Sequence, residues 1–444
     1  MTVDTLPDEV LLAIFHFRRD GPQWWWKTLA DVCRRWRDII FASPHALGLG
    51  LVCTCRTPTR TSLDIWPPIP ITIFWYSRKS NNDGRDNIIA ALERRDRIIW
   101  IRIEGYGLQE LFAVAERPFP ILKELSLSSD DEIAPVLNEE FLAGSAPHLR
   151  YFTLMNIGFP AFPKLALSTT YLSTLDFWDI PMSGYISPEA MVTCLATLPN
   201  LRTLRFGFSI SHPPSHPDLK SLPLPKRTVL SALTLFSFKG VSEYLEDFVA
   251  RIDTPKLNQI DAQLQVDPMI HIPHLCNFIS RLECIRPLNP ARLDVSSSTC
   301  TTTIILGSLA VYLVIIWEPG RDGALMTAQM CSQLSPHLSH VEELSIWKGE
   351  PGLLWWENPM QWFELFDHFP AMKHLHLESK EAGLPVARAL QGITGERATE
   401  VLPSLRSLFF HRMEPSRHIQ DDIQPFIVAR QQSNYPVDVQ VHLE

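Results

Sequence analysis

The sequence predicts a mixed α/β protein in which an N-terminal helical module precedes an irregular repeat solenoid. Two observations carry this prediction. Apolar residues in the first fifty positions recur at helical spacings, and from about residue 98 a motif of the form L-x-x-L-x-L recurs along the chain. We therefore expect three segments: a helical module over 1–50, a connecting segment over 51–97 and the repeats over 98–444.

The composition excludes several classes of protein. A net charge of −9 over 444 residues argues against a general nucleic-acid binder, since such proteins concentrate Lys and Arg on one face. The 45% hydrophobic and 20% charged content is that of an ordinary folded protein. The eight cysteines form no CxxC pair and no secretory signal is seen, so we expect a reducing compartment, cytoplasm or nucleus.

The first helix has a recognisable start. Pro7 suits the first turn, where its missing N–H costs nothing, and Asp8 and Glu9 suit the positive end of the helix dipole. An apolar stripe follows at spacings of three and four: Val10, Leu11, Ile14 and Phe15. Fifty residues cannot bury several such stripes alone, so the module should either dock a partner or cap the domain behind it.

The stretch WWWKTLADVCRRWRDIIFASP (24–44) mixes tryptophans with arginines, a combination also found in nucleic-acid surfaces. Its charges form i,i+4 pairs, Asp31 with Arg35 and Arg34 with Asp38, along a solvated helix face. Its apolar members share another face, which Trp25 and Trp26 can extend backwards: Leu29, Val32, Cys33, Trp36 and Ile40. We therefore interpret it as a packing segment that ends at Pro44, either as one helix or with a kink near Cys33-Arg34, and expect no nucleic-acid partner.

LPDEVLLAIF, a spacer and LADVCRRWRDIIFASP together resemble an F-box, the short three-helix motif that binds the Skp adaptor of cullin–RING ubiquitin ligases. Leu6-Pro7 matches the opening dipeptide of the motif, and VCRRWR (32–37) matches its most diagnostic segment. The spacer RRDGPQWWWKT departs from the general pattern and is similar to spacers of a large group of fungal F-box proteins. The resemblance implies these adaptor-binding residues: Leu6, Pro7, Val10, Leu11, Ile14, Phe15, Leu29, Val32, Cys33 and Trp36.

The repeats are visible as FPILKELSL (119–127), APHLRYFTL (146–154), YLSTLDF (171–177), LPNLRTLRF (198–206), VLSALTLFSF (229–238), TPKLNQI (254–260), HLSHVEELSI (337–346), FPAMKHLHL (369–377) and LPSLRSLFF (402–410). The spacing of the first six is that of leucine-rich repeats, in which a strand and a helix or loop stack on their neighbours. GSAPHLR (144–150), GYISPEAMV (184–192) and FKGVSEYLEDFVARIDTPKL (238–257) also resemble the fungal F-box group. Residues 282–336 fit the repeat poorly.

The apolar run IILGSLAVYLVIIW (304–317) is shorter than the roughly 20 residues that span a bilayer. Its β-branched and aromatic content favours buried strands, so we predict no membrane segment. An α/β enzyme sheet is the alternative to the solenoid, but it predicts continuous apolar strands, whereas these strands alternate.

In a leucine-rich strand the leucines point inward and the alternate positions face the concave side. This rule places five candidate target-binding residues on that side: Trp178, Arg205, Phe236, Trp347 and Phe409. Large aromatic side chains often dominate the binding energy of protein interfaces.

The sequence contains no GxGxxG, GxxxxGK[ST], GxSxG or HExxH motif, so we predict no cofactor and no catalytic residue. His374 and His376 point to one side of a strand and could form half a metal site. Because no nearby Cys or third His completes a zinc set, we interpret them as ordinary exposed histidines and predict no metal.

The resemblance implies a non-catalytic, substrate-recruiting subunit of an SCF-type cullin–RING ubiquitin ligase. Its partners would be the Skp adaptor, through it the cullin and RING protein, and an unidentified target protein on the repeats. A leucine-rich-repeat scaffold with no ligase role is the alternative, and a catalytic α/β protein ranks last.

Overall fold

The computed structural model describes residues 6–17, 25–44, 47, 49–57, 59–65, 68–78, 84–209, 227–266, 269–283, 286, 288–296, 298–318, 322–349, 358–393, 400–412 and 417–442. The chain divides into two compact units, Met1–Leu201 and Arg202–Glu444. Each unit is built mainly from parallel strands joined by helices or turns.

The first unit opens with three helices, which confirms the predicted helical module: α1 (Asp8–His16), α2 (Trp25–Ala30) and α3 (Arg34–Ala42). Strands and further helices follow: β1 (Leu51–Cys53), α4 (Thr59–Ile65), β2 (Ile71–Ser77), α5 (Arg85–Leu92), β3 (Ile98–Gly105), α6 (Gln109–Val114), β4 (Glu124–Ser129), β5 (Tyr151–Met155), α7 (Phe162–Ala166), β6 (Thr174–Ile180) and α8 (Pro188–Leu195). Strands β1 to β6 pair in chain order, and every pair is parallel.

Parallel pairing begins earlier in the chain than the leucine pattern suggests. The segment 51–97, expected to connect the module to the repeats, contributes β1 and β2 to the same run of strands as β3. Strand β2 reads ITIFWYS, so its inward positions carry isoleucine and tryptophan instead of leucine. The L-x-x-L-x-L motif therefore does not reveal it.

The second unit continues the alternation of strands and helices. Its elements are β7 (Thr203–Phe208), β8 (Thr228–Val229), β9 (Leu235–Val241), α9 (Ser242–Ala250), β10 (Ile252–Asp253), β11 (Gln259–Gln265), α10 (Pro273–Ser280), β12 (Ala291–Ser296), β13 (Thr301–Leu306), β14 (Val311–Ile316), α11 (Gly323–Leu338), β15 (Glu343–Lys348), α12 (Pro359–Phe366), β16 (His374–Leu377), α13 (Lys380–Gln391), β17 (Ser407–His411), α14 (Arg417–Gln432) and β18 (Asp438–His442). Strands β15 to β18 are parallel neighbours, as are β7, β9 and β11.

Inward side chains of neighbouring strands form continuous rows. Leu125 pairs with Phe152, which pairs with Leu175, and all three are at most 2% exposed. The positions between them are partly exposed, so each strand has one apolar face and one mixed face. Stacking of one-sided units into a shared core is the physical basis of a leucine-rich-repeat fold, and this part of the prediction is confirmed.

Residues 282–336 depart from the repeat because they contain an antiparallel insertion. Strand β13 runs antiparallel to both β12 and β14, while β14 pairs in parallel with β11 and β12 pairs in parallel with β15. The apolar run 304–317 lies largely in β13 and β14, which confirms the prediction of buried strands. Among the described residues, no helix has the length and apolar character that a membrane span requires.

The predicted exposure of Phe236 is wrong. Its side chain is 0% exposed, and its strand neighbours are the buried Leu204 and Ile260. The sequence VLSALTLFSF can be aligned with the L-x-x-L-x-L motif in two overlapping ways. In the folded chain Leu233, Phe236 and Phe238 occupy the three apolar positions of the motif and are buried. Phe236 therefore packs on Phe206 and Phe248, with ring centroids 6.0 and 5.4 Å away.

Candidate functional site

Helix α1 has two apolar faces with different roles. On the inner face, Leu11 and Phe15 are each 1% exposed, and the Phe15 ring packs edge-on against Trp36 of α3. These side chains hold the module together. Leu11 and Phe15 therefore cannot form the contact surface that was predicted for them, and Trp36 is only half-buried.

On the outer face of α1 and at its C-cap, three apolar side chains are exposed to solvent at spacings of four and three. Val10 is 42% exposed, Ile14 47% and Phe17 88%. We call these three residues the outer row. An exposed apolar row on a helix is a typical protein-interaction surface. Phe17 was missed in the sequence, although its i+3 spacing from Ile14 is the signal that could have found it.

The single helical face predicted over residues 29–40 does not form. Helix α2 ends at Ala30 and α3 begins at Arg34, with Cys33 in an extended conformation at the N-cap of α3. Val32 lies in the turn between them and is 58% exposed, whereas Leu29 and Cys33 are half-buried. A two-helix arrangement replaces the continuous stripe because the extended Cys33 backbone redirects the chain.

The same break changes one of the predicted ion pairs. Asp31 lies in the turn, and Arg35 instead reaches back to the start of α1, where its Nη2 lies 2.6 Å from Asp8 Oδ1 and 2.5 Å from the Leu6 carbonyl oxygen. The second pair, Arg34 with Asp38, is present at 3.9 Å. Arg35 thus fixes the Leu6-Pro7 dipeptide, in which Leu6 is half-buried and Pro7 is exposed.

Of the three consecutive tryptophans, Trp26 is a core residue of the module. It is 0% exposed, its ring packs edge-on against Phe41, and its Nε1–H donates to the Gly50 carbonyl at 3.0 Å. This hydrogen bond joins α2 to the chain that enters β1. Trp25 is half-buried, and Trp24 lies outside the described residues.

In each unit, the mixed face of the strands, here called the open face, carries further candidate contact residues. Trp178 in the first unit and Arg205, Trp347 and Phe409 in the second are all half-buried on it. In the first unit Tyr151 and Met155 add exposed apolar area, at 47% and 46% exposure. Polar, charged and aromatic side chains are thus interleaved on this face, as in many protein-binding surfaces.

At the open face of β16 and β17, three ionisable side chains converge. His376 Nδ1 lies 3.2 Å from His411 Nε2, and one ligand atom from each of His376, Glu378 and His411 lies within 4.8 Å of the others. All three side chains are half-buried. The neighbouring repeat therefore supplies a second histidine to this cluster, His411, and His374 is not part of the cluster.

Aromatic stacking and burial define the surroundings of this cluster. Phe409 stacks on His376 with ring centroids 4.3 Å apart and planes 6° from parallel, and His442 stacks on His411 at 5.0 Å and 12°. Burial lowers the pKa of His376, and nearby His411 lowers it further, against the opposing effect of Glu343. The neutral imidazole is therefore favoured near pH 7.

A helical module with an exposed apolar row, followed by repeats with a mixed open face, defines a protein-interaction adaptor. The comparison with protein families gives the class of the module: the F-box-like family model matches residues 3–44. Residues 3–44 are therefore similar to F-box-like domains, and the parallel strands that follow them have the one-sided stacking of leucine-rich repeats. F-box domains generally bind Skp-type adaptors.

No curated protein matches the chain in sequence. Among solved structures, it is similar to the leucine-rich-repeat-containing protein LegL7 from Legionella pneumophila, with 12% identity and a TM-score of 0.26. The match covers 85% of this chain and 97% of LegL7. The repeat fold of this chain rests on its own strand pairing and buried leucine rows.

Proposed function

We propose that this chain is the substrate-recruiting subunit of an SCF-type cullin–RING ubiquitin ligase. The observation that carries the proposal is the outer row, an exposed apolar stripe within a segment that matches the F-box-like family. The module would dock the Skp adaptor, and the adaptor would connect the chain to the cullin and the RING protein. Such an assembly would act in the cytoplasm, the nucleus or both.

The contacts would divide between two groups of residues. Val10, Ile14 and Phe17 would bury their exposed apolar area against the adaptor. Removing apolar surface from water is favourable by about 25 cal/mol per Å² before the costs of association are subtracted. Exposed Pro7 and Val32 would add to the same interface, while Leu11, Phe15 and Trp36 would support it from within. The buried residues are thus positioning residues, and only the exposed ones would meet the adaptor.

A target protein would bind the open face of the repeats. Trp178 of the first unit and Arg205, Trp347 and Phe409 of the second are the proposed contact residues, since aromatic and arginine side chains are enriched at protein interfaces. The chain would perform no covalent step itself. It would raise the effective concentration of the target beside a charged ubiquitin-conjugating enzyme.

Co-expression with the Skp adaptor tests the first contact. The wild-type chain should co-purify as a stable complex, and the Ile14→Glu variant should not, because a carboxylate would be buried at the interface. Leu167→Glu is the matched control: Leu167 is also an exposed apolar residue of the first unit, at 68%, and its replacement should leave the complex intact. Leu6→Ala/Pro7→Ala should weaken the complex and leave the repeats folded.

A leucine-rich-repeat scaffold with no ligase role predicts a different outcome from the same experiment. In that case neither the wild-type chain nor any variant captures the adaptor, and the helical module serves only as a cap. Equal capture by wild type and Ile14→Glu would also refute the proposed interface. Binding partners would then be sought on the open face alone.

A further inference from the structure

His376, Glu378 and His411 form a set of side chains that the adaptor function does not use. They come from two neighbouring repeats, and parallel pairing of β16 with β17 brings them together. Two imidazole nitrogens and a carboxylate are the ligand set of many zinc sites with an open coordination position. We propose that this triad binds a divalent transition-metal ion of the zinc type on the open face of the second unit.

The spacing of the two nitrogens suits a shared metal ion. Imidazole nitrogens bind zinc at about 2.0–2.1 Å, and at a tetrahedral angle two such nitrogens lie roughly 3.3 Å apart. His376 Nδ1 and His411 Nε2 are 3.2 Å apart. In the metal-free protein a hydrogen bond between these nitrogens occupies the same gap, so the metal would replace a shared proton.

The surroundings also resemble those of metal-bound histidines. A ligating histidine usually directs its other ring nitrogen towards a carboxylate or carbonyl group, which fixes the tautomer and raises the basicity of the ligand. Here Glu343 Oε1 lies 3.6 Å from His376 Nε2, on the side opposite the proposed metal ligand. The stacked rings of Phe409 and His442 restrict both imidazoles, which reduces the entropy lost on binding.

The set contributes three protein ligands, so a tetrahedral ion would keep its fourth position for water or for a side chain of a bound protein. The half-buried position on the open face leaves that coordination site accessible. This inference does not require adaptor binding, and each can fail without the other.

The test is zinc binding by the full-length chain after its purification tag has been removed, measured by competition with a chromophoric chelator. Wild type should bind one more equivalent of Zn²⁺ than His376→Gln or His411→Gln. Its Co²⁺ complex should show the intense visible absorption of a tetrahedral site. Glu343→Gln should weaken zinc affinity by roughly 10-fold to 100-fold, as expected for a group that supports a ligand.

His374→Gln is the matched control, because His374 lies on the same strand and face but outside the triad. It should keep the wild-type stoichiometry. Circular dichroism of every variant without metal reports whether the fold is intact. The proposal is overturned if wild type binds no zinc equivalent beyond the two glutamine variants while all three are folded, or if His374→Gln loses the same equivalent.

Discussion

The Phe15 and Trp36 rings meet in a T-shaped contact at a centroid separation of 4.9 Å, and this contact joins α3 to α1. Phe15 is fully buried and Trp36 is half-buried. Trp36→Ala should therefore lower the free energy of unfolding of the helical module by about 2 kcal/mol, which is less than the loss expected for a fully buried tryptophan. Hydrogen exchange in α1 should then accelerate roughly 30-fold. The exposed Val32 provides the control, since Val32→Ala should leave exchange unchanged. Unaltered exchange in Trp36→Ala would contradict this role.

Arg430 of α14 should stabilise the C-terminal strand. It is 1% exposed and donates to three backbone carbonyl oxygens, those of Leu402 at 3.1 Å, Leu405 at 2.8 Å and Tyr435 at 3.0 Å. Arg430→Met would leave three acceptors without this donor, at a cost of about 3 kcal/mol or more. Limited proteolysis should cut the C-terminal segment much faster in this variant.

Arg430→Lys should give an intermediate rate, because an ammonium group lacks the planar fork that reaches three carbonyls. The exposed Arg406 offers a comparison of equal charge, and Arg406→Met should be cut at the wild-type rate. If the Met and Lys variants of Arg430 were both as resistant as wild type, the guanidinium would not support this segment.

His337 should make stability depend on pH between about 7.5 and 5.5. Burial lowers its pKa, and the Arg286 charge lowers it further, although its Nε2 also contacts the Cys276 carbonyl oxygen at 3.0 Å. The unfolded chain therefore binds more protons at this site than the folded chain does as the pH falls. The contribution of His337 to the free energy of unfolding is complete above the pKa that it has in the unfolded chain, and it is lost as the pH falls below that value.

The melting temperature of the wild-type chain should therefore drop more between pH 7.5 and 5.5 than that of His337→Gln. Glutamine retains an N–H donor and does not titrate, so the comparison isolates the charge of one imidazole. Parallel curves for the two proteins would assign the acid sensitivity to other groups, among them His368 and His376, whose pKa values burial also lowers.

Thiol reactivity should follow burial. Burial raises the pKa of Cys194, Cys276 and Cys331 to about 12 each, whereas Cys33 and Cys55 are only half-buried. The thiolate is the reactive form, so iodoacetamide at pH 8 should label the half-buried group first. Peptide mass spectrometry over time measures this order, and early labelling of Cys331 would contradict it.

The repeat strands could be predicted because a buried leucine row requires an apolar residue at the same position of successive repeats. The prediction failed where another residue type fills that row. Isoleucine and tryptophan in β2 concealed a strand, and phenylalanine at 236 and 238 shifted the frame of β9. Burial selects for apolar volume, so aromatic and β-branched residues take leucine positions and the motif loses its register.

The candidate sites could be predicted only in part, because exposure and proximity depend on tertiary structure. The helical spacing placed Val10, Leu11, Ile14 and Phe15 together, but packing against Trp36 decided which two became buried. His411 lies 35 residues after His376, and only the pairing of two strands brings their nitrogens together.

The antiparallel insertion has a consequence for the order of folding. Two parallel strands need a crossover before they can meet, whereas β12, β13 and β14 are joined by connections of four residues and close with little loss of chain entropy. We expect this three-stranded segment to form early and to offer a template on each side, one for β11 and one for β15. The second unit would then grow outwards from its middle in both directions along the chain.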